Sequence, residues 1–524
     1  MSVGTAVSFC LHFTLDCGLA MGTHSASSRG RGSSFWLCAL FAGGCQSLWS
    51  GTLAENPRNC IGNPLACTNE ERCNEVTEAC EKLPLALGSV TPARTSRAGG
   101  ERLRLRGHGF SAQIIIEIDG AAVPPEQISL VSEDELIFTA PPRAKSCGPV
   151  LIKLRAPSGD TVARSDLLRY YLPHLGFAKP KMVPVAPGLI NAVFLDAADM
   201  NRDGQQDLVV ALNDPLDPAK SRLGVALGNG DGSFAAASST ELPADAFSFA
   251  IMDWDRDGHW DVLVGTTSPA LTFLRGQGDG RLSLSVPNLS DQSFALPSVH
   301  ALELGPSKPP TLLGLGASLV RFQNLQGPVQ ITLGPQSDAT SQLSALGDFN
   351  ADGIADVVQS YLSLTRPPEV FLGLGDGLYG PALPLPLPRP IAFTTAAAGD
   401  LDGDGFAEAL LASPSNDLVA VFRNRRDGSF TKPDIYPTDG ARMVKLADLD
   451  CDGSSDLAVA SDRRNFGTYA LNLGDGTFGD YTTIPLTGQN FAVAVADWNG
   501  DGAPDLAFGL LGTTTVAVAL SSSQ

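Results

Sequence analysis

Six short stretches of the 524-residue chain set oxygen-bearing side chains at alternate positions. They read DMNRDGQQD (199–207), DWDRDGHWD (253–261), DFNADGIAD (348–356), DLDGDGFAE (400–408), DLDCDGSSD (448–456) and DWNGDGAPD (497–505). Oxygens at positions 1, 3, 5 and 9, with glycine at 6 to allow a sharp turn, make the donor set of a hard divalent cation. The candidate ligands are Asp199, Asn201, Asp203 and Asp207; Asp253, Asp255, Asp257 and Asp261; Asp348, Asn350, Asp352 and Asp356; Asp400, Asp402, Asp404 and Glu408; Asp448, Asp450, Asp452 and Asp456; and Asp497, Asn499, Asp501 and Asp505. Three loops carry Asn at position 3, which keeps an oxygen donor at lower charge. An all-oxygen, protein-rich set favours calcium over magnesium, so six Ca²⁺ sites are expected. Asp and Gly favour turns in any case, but turns alone do not require the alternation.

Charge agrees with this reading. The chain carries 56 acidic and 36 basic residues for a formal charge of −20, and the six loops hold 21 of the acids. Six divalent cations would bring the total to −8. A field of this sign repels phosphate backbones, which argues against nucleic acid as a general partner. Extracellular calcium modules bind with Kd of about 0.1–1 mM. At about 1 mM calcium and a Kd near 0.1 mM, each site contributes about 1.4 kcal/mol by mass action.

The elements that hold these loops are strands. Apolar, β-forming runs such as DLVVA and DVLVG follow each loop. Position 12, a bidentate Glu in an EF-hand, is here Val210, Val264, Gln359, Leu411, Val459 or Phe508. The loop therefore belongs on a β-hairpin rather than between helices. Successive first acids are spaced by 54, 95, 52, 48 and 49 residues. The 95 is two periods, with one unit near 301–316 whose ligand positions hold Glu303, Gly305, Ser307 and Thr311. That unit is expected to be metal-free.

A second signature trails the loops: LGNGDGSF (227–234), RGQGDGRL (275–282), LGLGDGLY (372–379), RNRRDGSF (423–430) and LNLGDGTF (471–478). Each suits a tight turn after a third strand. Four short strands per unit of about 50 residues, seven times over, predict a seven-bladed β-propeller. The last unit ends before its fourth strand. LGFAKPKMVPV (175–185) matches GSFTKPDIYPT (428–438) and is expected to supply that strand, closing the ring. The pattern DxDxDGxxD with an apolar strand and GDGSF-type turns resembles the FG-GAP/VCBS repeats of integrin alpha-chain propellers and their bacterial relatives, over about residues 175–522. That resemblance implies calcium in the six matching loops.

Residues 85–172 alternate short strands with Gly and Pro, which reads as a small immunoglobulin-like β-sandwich. Thr91-Pro92, Gly99-Gly100, Gly107–Phe110 and Thr139–Pro142 resemble the markers of an IPT/TIG domain. Arg102, Arg104 and Arg106 alternate with Leu103 and Leu105, giving a basic strand face that reads as solvated, with a docking patch for an acidic partner or polysaccharide as the sharper alternative. The fold class expected is therefore all-β. Its divisions are a leader (1–45), a Cys-rich linker (46–84), the IPT/TIG domain (85–172) and the propeller (174–524).

The leader has arginines at 29 and 31, the apolar run FWLCALFAGG (35–44) and then Cys45, the layout of a secretory signal with Cys45 as a lipidation candidate. The reading frame is also compatible with a start at Met21. Cys60, Cys67, Cys73 and Cys80 read as two disulfides of open pairing, as suits an exported chain. Cys147 and Cys451 have no assigned role.

No Ser lies in G-x-S-x-G and no H-E-x-x-H occurs. His259 and Trp260, inside one loop, read as packing rather than ligand contact. The expectation is an exported, non-catalytic, calcium-binding protein at the cell surface, in the outer membrane as a lipoprotein, or periplasmic or secreted. It would adhere to or recognise protein or glycan. The alternatives are a propeller-based carbohydrate-active or other hydrolytic enzyme, which needs an acid/base pair at the central channel, and a structural surface component.

Overall fold

The computed structural model describes residues 71–74, 79–82 and 84–523, apart from 144–146, 187–190, 268–270, 286–295, 303–309, 317, 324–329 and 337–341. The leader, Cys45, Cys60, Cys67 and the motif-poor loop of the third unit lie outside the described residues. Met1–Leu83 and Pro84–Gln524 form two compact units. In the first, Glu71–Asn74 and Ala79–Lys82 pair antiparallel, with the backbone of Cys73 opposite that of Cys80.

The second unit is all-β, with only two short 3₁₀ turns among the described residues. Its N-terminal part packs two four-stranded sheets. One contains Ala86–Thr91, Arg102–His108, Ile128–Ser132 and Glu135–Thr139; the other contains Ile115–Ile118, Ala121–Ala122, Ile152–Arg155 and Thr161–Arg164. Period-two alternation sets the faces. In Arg102–His108 the leucines 103 and 105 are fully buried with Ile116, Phe138 and Leu154, while Arg102, Arg104 and Arg106 face outward. Arg104 and Arg106 both pair with Glu135, at 2.8 and 3.4 Å.

Seven four-stranded antiparallel sheets follow, each in simple up-and-down order. Their first strands are Asn191–Ala198, Ala246–Met252, Ser298–Leu302, Ala345–Gly347, Thr395–Gly399, Ala441–Ala447 and Asn490–Ala496. Every second strand whose loop carries the acidic motif begins at the ninth loop position, as in Asp207–Asn213 and Asp505–Leu510. These second strands are buried on both faces, which explains why they read as continuous apolar runs rather than alternating ones. The seventh sheet takes its fourth strand from the other end of the chain: Lys181–Pro184 pairs antiparallel with Thr515–Val518. The first strands of six sheets surround one cavity, an arrangement of propeller type.

Neighbouring sheets are stitched at the Gly-rich turns. Asn424 Nδ2 donates to the Phe349 carbonyl at 2.7 Å, Asn472 Nδ2 to Leu401 at 2.8 Å, and the Gly232 amide to Trp498 at 2.9 Å. In each case the acceptor is the second residue of the acidic loop of a neighbouring sheet. The Phe that ends the turn packs on the same place, with Phe430 edge-on to Phe349 at 5.4 Å and Phe234 against Trp498 at 6.3 Å. The acidic loop is thus clamped from its own sheet and from the next.

Candidate metal centres

Each loop is a series of side-chain-to-backbone turns. At 199–207, Asp199 accepts from the amides of Asp203 (3.0 Å) and Gly204 (2.8 Å), and Asp203 accepts from Gln205 at 2.8 Å. The 348–356, 400–408 and 497–505 loops repeat these bonds. Gly at position 6 is left-handed throughout, from φ 78° at Gly353 to 104° at Gly453. Position 4 is left-handed as well, in Arg202, Arg256, Ala351, Gly403, Cys451 and Gly500. Four of these are not glycine, so no glycine pattern marks the position in sequence, and each L-residue there costs about 1 kcal/mol.

The carboxylates converge in three loops: Asp253, Asp255 and Asp261; Asp400, Asp402 and Asp404; and Asp448, Asp450 and Asp456, with one oxygen from each residue within 4.8 Å of the others. In two of these the donor set is visibly incomplete. Asp253 Oδ1 and Asp448 Oδ1 are buried carboxylate oxygens with no hydrogen-bond partner among the described residues. A buried anionic oxygen without a partner is costly, and a cation held by the clustered oxygens would satisfy it. These residues therefore fit a calcium ion. In the three loops with Asn at position 3 no such three-acid cluster forms among the described residues. There Asn201 and Asn350 donate to Asp203 and Asp352 at 2.9 Å, and their oxygens accept from the same residues' amides at 3.1 Å.

The ninth position does more than the sequence reading assigned to it. Asp207, Asp261, Asp356, Glu408, Asp456 and Asp505 are each at most 1% exposed. One oxygen accepts from the second loop residue: Met200, Trp254, Phe349, Leu401, Leu449 or Trp498, at 2.7–2.9 Å. The other accepts from the residue following the third strand's apolar run: Gly228, Gly276, Gly373, Asn424, Asn472 or Ser521. The acid is a brace joining loop to turn. Burial pushes its pKa up to about 6 at Asp207, Asp261 and Asp356, to about 7 at Glu408 and Asp505, and to about 8 at Asp456.

Arginines share several clusters. Arg275 lies 2.6 Å from Asp255 and 3.1 Å from Asp257, and Arg426 lies 2.7 Å from Asp404. Arg202 stacks over Trp260 at 5.3 Å, so that aromatic packs between neighbouring sheets.

The fifth and sixth loops meet the immunoglobulin-like part. Arg169 bonds Asp448 at 2.9 Å, Arg94 bonds Asp452 at 3.1 Å, and Arg97 donates to the Asp501 carbonyl at 2.8 Å. The Leu172 amide donates to the Asp450 carbonyl at 2.7 Å. Cys147 is disulfide-bonded to Cys451, 304 residues away and at loop position 4. The arginines that bridge to the acidic loops are thus 94, 97 and 169.

Comparison with known proteins follows this division. A family model described as an FG-GAP-like repeat matches residues 199–264, 348–411, 400–459 and 448–508, and the IPT/TIG domain model matches 85–170. No curated protein matches the chain. Among solved structures, a lectin of Agrocybe aegerita, described as recognising non-reducing terminal N-acetylglucosamine, is 14% identical, with 78% of this chain and 96% of that one covered and a TM-score of 0.41. A Bacteroides thetaiotaomicron protein of unknown function is 9% identical, with 84% and 98% covered and a TM-score of 0.34. The Photorhabdus luminescens Tc holotoxin pore is 14% identical, with 73% of this chain but 17% of that one covered and a TM-score of 0.31. The chain thus contains FG-GAP-like repeats and, ahead of them, an IPT/TIG domain.

Proposed function

We propose that the seven sheets close into one seven-bladed ring, stabilised by calcium in the acidic loops, that serves outside the cytoplasm as a non-catalytic scaffold for recognition of protein or glycan. The carrying observation is the pair of buried, partnerless oxygens, Asp253 Oδ1 and Asp448 Oδ1, each within a cluster of three carboxylates. A calcium ion would supply the charge such a cluster lacks; the chain's own part is to hold the oxygens convergent through the left-handed turn and the ninth-position brace. Pairing of Lys181–Pro184 into the last sheet supports ring closure, since it joins both ends of the repeat array. The Cys147–Cys451 bond supports an oxidising compartment. Recognition would then use loops held on a rigid frame.

A hydrolytic reading would need an acid and a base at the ring axis. His300 is the imidazole there, and burial with the nearby Lys445 holds its pKa down at about 4, too low for an efficient general base near neutral pH. The recognition reading is tested with the full chain on protein and glycan arrays, in calcium and in EGTA. Calcium-dependent capture of a defined ligand supports it, and turnover of an arrayed glycan contradicts it.

A further inference from the structure

The repeat makes equivalent positions around the axis comparable. Three residues before the first loop position, the seven units carry Asp196, Ala250, His300, Ala345, Ala397, Lys445 and Ala494. The first six of these line a cavity of about 510 Å³. Alanine at most of this level leaves the axis open, and the exceptions are all ionisable. His300 comes from the third unit, the one that lost its acidic motif.

The polar groups are ordered by hydrogen bonds. Ser298 Oγ accepts from the amide (3.2 Å) and the hydroxyl (2.9 Å) of Ser344. His300 Nε2 lies 3.0 Å from Ser298 Oγ and 2.8 Å from Ser344 Oγ. Nε2 is thus held between the two hydroxyls, which fixes the imidazole at the cavity wall. Lys445 reaches Asp196 at 3.9 Å and sits 5.7 Å from the Phe194 ring. That ion pair is at the limit of contact and leaves the ammonium donors largely unspent.

A second cavity of about 230 Å³ shares Leu343 and Met443 with the first and is lined by Arg442, three residues before Lys445 on the same strand. The two linings together hold two cations and one acid, in a chain of net charge −20. The axial cavity itself holds one cation, Lys445, loosely paired with Asp196, between low-dielectric walls that focus its field. A pocket of this size with few convergent polar groups and aromatic walls is also the usual form of a small-molecule site.

We propose that the axial cavity binds a small organic carboxylate, with Lys445 taking its charge and Phe194 and Trp260 flanking its body. This site is separate from the acidic loops and does not depend on their metal.

The test is saturation-transfer NMR on the full chain, kept in calcium, with acetate, lactate and galacturonate as probes, galactose as the neutral counterpart and inorganic phosphate as competitor. Transfer to at least one carboxylate is expected, with none to galactose. Lys445→Met should weaken the binding about tenfold, the order of one lost charge-assisted contact. Ala397→Phe, which fills the cavity at the same level and leaves Lys445, His300 and Asp196 in place, should abolish it. Thermal melts confirm that each variant folds, and Lys445→Gln replaces Lys445→Met if the latter does not. Absence of transfer from every carboxylate, equal transfer to galactose, binding indifferent to both variants, or phosphate binding in place of the carboxylates would each overturn the proposal.

Discussion

Asp356→Ala and Asp352→Ala separate the brace from the proposed metal binding. Asp356 is fully buried and accepts the amides of Phe349 at 2.7 Å and Gly373 at 2.6 Å. Truncation leaves both donors buried and unpaired, at about 1–3 kcal/mol each, so a loss of about 4 kcal/mol is expected whether or not metal is present. Asp352 is exposed, and its bonds to the Ile354 amide and the Asn350 amide group are readily replaced by water. Its loss should cost only about 0.5 kcal/mol in EGTA. In about 1 mM calcium it should cost a further 1.4 kcal/mol or so, the linkage energy of one site with a Kd near 0.1 mM. Urea unfolding of the full chain in EGTA and in calcium gives all four numbers. Equal losses for the two variants in EGTA, or a loss below about 1 kcal/mol for Asp356→Ala, would refute the brace.

Three further outcomes are expected. Cys147→Ser should destabilise the second unit by about 2–4 kcal/mol, toward the upper end because the bond closes a loop of 304 residues; urea midpoints with and without reductant measure it, and reductant should leave the variant unchanged. Arg169→Ala frees an Asp448 oxygen and removes a cation from the fifth loop, so terbium luminescence titration should show one site tightened about fivefold, equivalent to about 1 kcal/mol. The ninth-position acids have folded pKa values raised to about 6–8. Their contribution is present in full below the ordinary carboxylate range and is lost as pH rises through that window, so in EGTA stability should fall between about pH 4 and 8. Calcium, binding the ionised form, should flatten or reverse that slope, and melts at pH 5 and 7.5 or so show which.

Much of the local structure was legible because it is local. The period-two acids with Gly at position 6 mark the loop, the apolar run after it marks a doubly buried strand, and the match between 175–185 and 428–438 marks the strand that pairs into the last sheet. Other features depend on partners distant in sequence. Nothing near Cys147 or Cys451 signals their pairing across 304 residues. Arg94, Arg97 and Arg169 carry no periodicity that would distinguish them from solvated arginines, whereas 102, 104 and 106 do, and of these 104 and 106 pair with Glu135 within their own sheet. The ninth acid reads as a ligand from its spacing, and at Asp261 and Asp456 it does lie in a carboxylate cluster. Its role as a brace needed the position of the partner amide, which comes 15 to 21 residues later in the chain, as at Gly276 and Gly228.

The most direct test of the central claim is calorimetric unfolding of the full chain, disulfides intact, across a calcium titration begun in EGTA, with bound metal counted by equilibrium dialysis. Six ions per chain and a second-unit transition that rises continuously with calcium are predicted, the gain approaching about 8 kcal/mol at 1 mM or so if the sites act independently. A transition indifferent to calcium, with no ion retained, would contradict it and leave the six loops as solvated turns held by their buried acids alone.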